Sequence, residues 1–408
     1  MPTKDSSSNI WAPFNYTRKM KVLFVSDLMF CPSLGGIERV TDEIVRELSR
    51  RGKYDFAYLA EKKSTQLYDY PAQCFYLPQD GGFENRENVE YYKKLLIENN
   101  IDLVVNQRGW KPFMDNVINA CNIPTISVVH SVLMAALKIH MSECMRHNNS
   151  FDGWWRYFVK ILLYFPYRMA KYCSYRFVLT KHYRLISARS KAVVFLSCKD
   201  EGDFKRLVAP NVCKTIVIPN PIILPDDSKV KKIKKKQILF VGRLCKSEKN
   251  PIRLIRIWRR LFKAFADWEL VIVGDGDECA HMNAYVKRNA IERVRFEGYK
   301  EDVSNYYANA SIVCLTSNFE GWGMALTEGM SYGCIPFTFD NYGAAKDIID
   351  DGINGFLIKP FSERQYSNRL AEIMINDRER IRISANARIK SRIFAVKDIC
   401  DKWEQVFK

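Results

Sequence analysis

The sequence has no Cys-x-x-Cys pair and no cysteine–histidine cluster at zinc spacing, although 12 cysteines are scattered from Cys31 to Cys400. This excludes a zinc ribbon and a disulfide framework, and leaves reduced thiols serving as small core residues. No apolar run approaches the roughly 20 residues of a spanning helix. The opening stretch "MPTKDSSSNIWAPFNYTRKM" lacks the apolar core of a signal peptide. A cytoplasmic protein is therefore expected. Acidic residues are in short supply: 63 Lys and Arg stand against 46 Asp and Glu, for a formal charge of +17. Such an excess asks for anionic company, whether nucleic acid, a membrane surface or a phosphorylated substrate, and does not choose among them. Apolar residues are plentiful, 47% of 408, enough for the cores of two or three domains.

From Lys21 onward, short apolar or β-branched runs alternate with longer helix-like stretches, the pattern of parallel sheets flanked by helices. In the first half the expected strands are "KVLFVS" (21–26), "DFAYLA" (55–60), "DLVVN" (102–106), "TISVVH" (125–130), "AVVFLS" (192–197) and "TIVIP" (215–219). In the second half they are "QILFVG" (237–242), "ELVIVG" (269–274), "RVRFEG" (293–298), "SIVCLTS" (311–317), "IPFTF" (335–339) and "GFLIK" (355–359). Between the two sets, "NPIILPDDSKVKKIKKK" reads as an interdomain linker, with its lysine run solvated. The expected fold class is α/β: two facing Rossmann-like, doubly wound domains with an interdomain cleft, where loops after strands carry function. The expected boundaries are a flexible tail 1–19, a first domain 20–222, a linker 223–236, a second domain 237–390 and a final helix 391–408.

Three strand-end loops hold candidate chemistry. Gly35 and Gly36 close the first, before a helix with apolar Ile37, Val40 and Ile44. Glycines there let amides approach an anion, yet the pair alone fits a tight strand-to-helix connection better. In "FVGRLCKSEKN", Arg243 and Lys249 flank a polar loop; they suit a diphosphate clamp, with ordinary loop surface as the alternative. The third loop, "SNFEGWGMALTEGMSYGCIP", sets Glu320 before a Gly321-Trp322-Gly323 turn and Glu328 on the second turn of a helix from Met324. That helix turns its free amides and positive end toward the cleft. Asp275 and Asp277 in "GDGD" could hold Mg²⁺, but a plain turn is favoured.

These residues resemble a known family. Glu320 and Glu328 form an E-x7-E motif, in the form E-G-W-G-x4-E-G-M-x2-G-x-I-P, similar to the signature of family 4 retaining glycosyltransferases of the GT-B fold. "GGIER" (35–39), "VVHS" (128–131), "VIPNPI" (217–222), "FVGRLCKSEKN" (240–250), "VIVGDGD" (271–277), "RFEGY" (295–299) and "DIIDDGINGFLI" (347–358) follow in the family's order. The chain departs from the pattern at Gly329, where Ala is usual, at Asp347, where Glu is commoner, and in the length of the Arg243–Lys249 loop.

The resemblance implies a nucleoside-diphosphate sugar as co-substrate, a glycan or lipid-linked glycan acceptor, no other cofactor and no metal. It implies that Arg243, Lys249 and the amides near Met324 stabilise the departing diphosphate, with Gly36 closing from the other domain. Glu328 would hold the ribose hydroxyls and Glu320 the sugar hydroxyls. Gly35, Tyr299 and Gly321 to Ala325 (Trp322, Gly323 and Met324 included) would line the donor, and His130 would position the donor sugar from the acceptor side. The final helix is expected to cross back onto the first domain, as in relatives. The stretch 154–191 has no acid and interleaves aromatics with Lys and Arg. An anionic membrane surface at the cytoplasmic face of the inner membrane is its expected partner, with core packing as the alternative. A nucleotide-sugar epimerase and a basic nucleic-acid-binding module are the competing function classes; nucleic acid is not expected.

Overall fold

A computed structural model describes residues 18–63, 67–109, 117–118, 120–130, 172–174, 176–210 and 213–408. The first sheet comprises β1 (Met20–Leu28), β2 (Tyr54–Lys62), β3 (Gln73–Tyr76), β4 (Leu103–Asn106), β5 (Thr125–Val129), β6 (Ala192–Phe195) and β7 (Thr215–Val217). Its order is β3-β2-β1-β4-β5-β6-β7, all parallel. The second comprises β8 (Lys235–Val241), β9 (Glu269–Val273), β10 (Val294–Gly298), β11 (Ala310–Cys314), β12 (Ile335–Phe339) and β13 (Phe356–Ile358), in the order β10-β9-β8-β11-β12-β13. It too is wholly parallel. Central strands such as β4, β5, β11 and β12 are buried along their length, because helices cover both faces of a parallel sheet.

Every strand expected from the sequence is present, and β3 is an addition. Its residues, "QCFY", are exposed or half-buried at a sheet edge, so the strand has neither the apolar run nor the clean alternation that makes one legible.

The lysine run is not simply solvated. Lys234 donates to the carbonyls of Tyr307 and Ala308 at 2.9 and 3.0 Å, and Lys231 to the Asn309 side chain at 2.7 Å. Both cations thus meet the carbonyl end of the helix Ser304–Asn309, where a positive charge is favourable.

The last helix, Val396–Phe407, packs its buried face (Ile399, Cys400, Trp403, Val406 and Phe407) into the core of the first sheet beside Val40, Ile44 and Tyr54. Arg51 and Lys53 clasp its outer side through Asp401 and Glu404. Of the basic aromatic stretch, 154–171 and residue 175 lie outside the described residues. Its end is helical over 176–189, burying Leu179, Tyr183 and Ile186 against β6 while Phe177 stays 72% exposed. Among the described residues no helix is long and apolar enough to cross a membrane.

Candidate active site

In both sheets the strand order reverses beside the first strand, between β1 and β4 and between β8 and β11. Ligands of doubly wound sheets bind in the crevice at that switch, beyond the carboxyl ends of the strands. Of the loops found there, those after β1, β8 and β11 are the ones the sequence singles out, while the one after β4, which carries Gln107, is not.

The loop after β8 carries Arg243 and Lys249, and the loop after β11 carries Glu320. Lys249 donates to both carboxylate oxygens of Glu320 at 2.7 Å, and the Ser317 hydroxyl adds 2.6 Å to one of them. Asn318 fastens the two loops together. Its side chain amide donates to the carbonyls of Lys246 and Ser247 at 3.0 and 2.9 Å, and its own amide to the Glu248 carbonyl at 2.7 Å. Arg253 and Asn250 grip its side-chain oxygen from the other side. Asn318 had no sequence signal beyond its place one residue after a strand-end Ser.

Gly274 and Gly276 explain the "GDGD" turn. A side-chain carbon on Gly274 would sit 2.0 Å from the Gly242 carbonyl oxygen, and one on Gly276 2.5 Å from that of Leu244. The turn is therefore the backbone support under Arg243, reinforced by Leu244 donating to the Asp275 carbonyl at 2.9 Å. Asp275 spends one carboxylate oxygen on the Gly276 amide at 2.7 Å. Among the described residues no three His, Cys, Asp or Glu side chains cluster as metal ligands.

Gly323 adopts φ 93°, a left-handed conformation open to glycine, and the helix Met324–Ser331 begins there with no side chain capping its amides. Met324 packs against the cores of both domains, so this helix end lies in the cleft. Glu328, on its second turn, accepts from the Tyr307 hydroxyl at 2.9 Å and pairs with Arg39 of the first domain. Burial, then the Glu328 charge, holds the Tyr307 phenol well above its ordinary range, so it stays a donor. Trp322 has only its backbone to offer a donor. Its ring is 2% exposed and packs edge-on against Phe394 in the second-domain core, so its side chain does not line a donor site.

The first domain supplies the opposite wall. Glu38 folds its carboxylate back over Gly35, where a side-chain carbon would meet Oε2 at 2.5 Å. It also takes its own backbone amide, so this helix start is already served by an acid. Burial raises the Glu38 carboxyl; its own backbone hydrogen bond and the facing Arg243 oppose the shift, while Asp27 adds to it. Gly36, by contrast, looks into open space. Arg243 is exposed and has no ion-pair partner among the described residues, yet it lies near enough to Glu38 to stabilise its charge across the cleft. Tyr299 is 59% exposed and acts on Arg39, which places it at the same crevice. A third interdomain contact runs from the Cys198 amide to Asp347 at 3.0 Å.

His130, at the end of β5, is hydrogen-bonded through Nε2 to Gln107, whose amide donates to Thr41 at 3.0 Å. The Gln107 oxygen must accept, so Nε2 carries the proton and Nδ1 is a bare acceptor with no partner among the described residues. Burial lowers its pKa from 6.5 to about 4. Between those values the unfolded chain takes up a proton that the folded one refuses, so stability falls as pH drops from 6.5 toward 4 and is flat above. At about 1.4 kcal/mol per pH unit the loss approaches about 3 kcal/mol. Urea unfolding at pH 7.5 and 4.5 should show this slope reduced in His130→Gln; an unchanged slope would contradict the assignment.

Residues 225–390 match the family described as Glycosyl transferases group 1. The match falls on the second domain, from the linker before β8 to the helix Asp377–Ser391. An uncharacterized glycosyltransferase of Haemophilus influenzae is 31% identical over 192 residues, 47% of this chain and 54% of its own length. An α-1,4-N-acetyl-D-galactosaminyltransferase of Campylobacter jejuni, named for a PP-undecaprenol-linked GalNAc glycan, is 30% identical over 172 residues, 42% of this chain and 47% of its own. The chain thus spans about half the length of the curated relatives it matches. Anabaena HepE in complex with UDP and glucose superposes with a TM-score of 0.70 at 18% identity, covering 95% of this chain and 98% of that one. The fold is GT-B, and the stretch that matches the group 1 model lies in its second domain.

Proposed function

We propose that this chain transfers a hexose or N-acetylhexosamine from a nucleoside-diphosphate sugar, UDP-linked by first choice, to a lipid-linked glycan, with retention of anomeric configuration, in cell-surface polysaccharide synthesis. The observation that carries the reading is the convergence of Glu320–Lys249, Glu328–Arg39 and the uncapped amides of Met324–Ser331 on one interdomain crevice. Its likeness to proteins whose names speak of UDP, glucose and a PP-undecaprenol glycan supports the substrate classes.

In this scheme Glu328 accepts from the ribose hydroxyls and Glu320 from a sugar hydroxyl, while Lys249 holds the Glu320 carboxylate in place. As the anomeric C–O bond breaks, its electron pair goes to the diphosphate oxygen, met by Arg243 and the helix amides. The acceptor oxygen bonds the same face of the anomeric carbon, and its proton leaves with the departing phosphate. The bare Nδ1 of His130 accepts a sugar hydroxyl. Protein cations suffice for the charge, so no metal is called for, and the stretch 154–191 brings the chain to an anionic bilayer.

The test is a thermal-shift screen of UDP-sugars, followed by incubation of the stabilising donor with and without a lipid-linked glycan. A lengthened glycan with the donor's anomeric configuration is expected. An epimerised donor accumulating without acceptor would instead establish an epimerase.

A further inference from the structure

Arg39 stands on the first-domain helix Gly36–Arg50, yet its guanidinium ends on Oε1 of Glu328 in the second domain. Oε2 of the same carboxylate is held by Tyr307, whose backbone is in turn fixed by Lys234. Two donors, one from each domain, therefore set the plane of a single carboxylate. An ionised carboxylate has about four lone-pair sites, so one on each oxygen is left for a ligand. Glu328 keeps 18% of its side chain open to receive it.

Glu43, one turn along the helix from Arg39, is the competing acid. Burial outweighs the pull of Arg39 and, with Glu328 and Asp42 adding to it, pushes the Glu43 carboxyl up to about 8. At neutral pH Glu43 is mostly uncharged, and the guanidinium charge is left to Glu328, the foremost influence on Arg39. The Arg39 Nε is buried without a hydrogen-bond partner among the described residues, so the contact to Glu328 is made by one terminal guanidinium nitrogen.

Building on the reading that Glu328 takes the donor's ribose, we propose that Arg39 is a positioning residue that aims Glu328 at the ribose diol when the two domains are in contact. The nucleoside is then read by an acid that one domain owns and the other points. Ribose recognition and domain contact become one coupled equilibrium, each favouring the other by the same factor.

The experiment compares UDP with 2′-deoxy-UDP by calorimetry. A hydrogen bond to a charged group contributes about 1.5–3 kcal/mol, or about 10- to 100-fold, so the wild type should prefer UDP by at least about tenfold. In Arg39→Ala the UDP affinity should fall while that of 2′-deoxy-UDP hardly moves, so the preference shrinks to about threefold or less. Arg39→Lys keeps the charge but not the fork, and should fall between. With a UDP-sugar, KM should rise more than kcat falls. A full wild-type preference in both Arg39 variants overturns the positioning role. The ribose reading itself is tested separately in Glu328→Gln: a preference kept there sinks it, while one lost there and kept in the Arg39 variants sinks the present inference alone.

Discussion

Alanine at Lys249 is expected to cut turnover by about 10- to 100-fold, the value of the charge-assisted hydrogen bond to the sugar that depends on the Glu320 carboxylate it holds. Lys249 meets both oxygens of Glu320 at 2.7 Å, and the Glu320 side chain is only 6% exposed. Without the ammonium that carboxylate is left with Ser317 as its side-chain donor among the described residues, so it swings away and no longer meets the sugar hydroxyl in the right orientation. Breaking a buried pair costs about 3–5 kcal/mol; the lower end applies because a quarter of the Lys249 side chain is exposed. Steady-state kinetics and urea unfolding separate the two effects. Adding Glu320→Gln should restore stability but not turnover. A Lys249→Ala enzyme with wild-type kcat would remove the pair from the mechanism.

Glu328→Ala should weaken UDP binding by about 10- to 100-fold, on the value of hydrogen bonds to a charged acceptor. It should also loosen the domains, since the Arg39–Glu328 pair joins them. The orphaned Arg39 would turn to Glu43 and pull its carboxyl down from about 8, so Glu43 should ionise at neutral pH in this variant. Calorimetry with UDP checks the first effect, and carboxyl titration by NMR the second. Unchanged UDP affinity would take Glu328 out of the donor site.

The fold was legible because parallel strands buried on both faces read as apolar runs; β8, β9, β11 and β12 need nothing else. The edge strand β3 has no such run. Of the site, the strand-end loops and both motif acids could be placed from spacing and resemblance. What could not be read was pairing between distant segments. Arg39 lies 289 positions from Glu328, and nothing in "GGIER" says that its arginine crosses the cleft while its glutamate folds back on Gly35. Trp322 misled for the opposite reason: its neighbours in sequence are cleft residues, but its ring is claimed by Phe394 from far along the chain. The lysine run looked solvated because composition does not reveal that helix-end carbonyls lie within reach.

The placement of Val396–Phe407 bears on how the protein is made. Domains generally fold in the order in which they leave the ribosome, but here the earlier one is missing a wall until the segment after the second domain has been made, because Trp403 and Phe407 belong to its interior. The second domain, whose sheet is complete at Ile358, can therefore settle first. Until then the first domain leaves uncovered the apolar surface around Val40 and Tyr54 that this helix packs against.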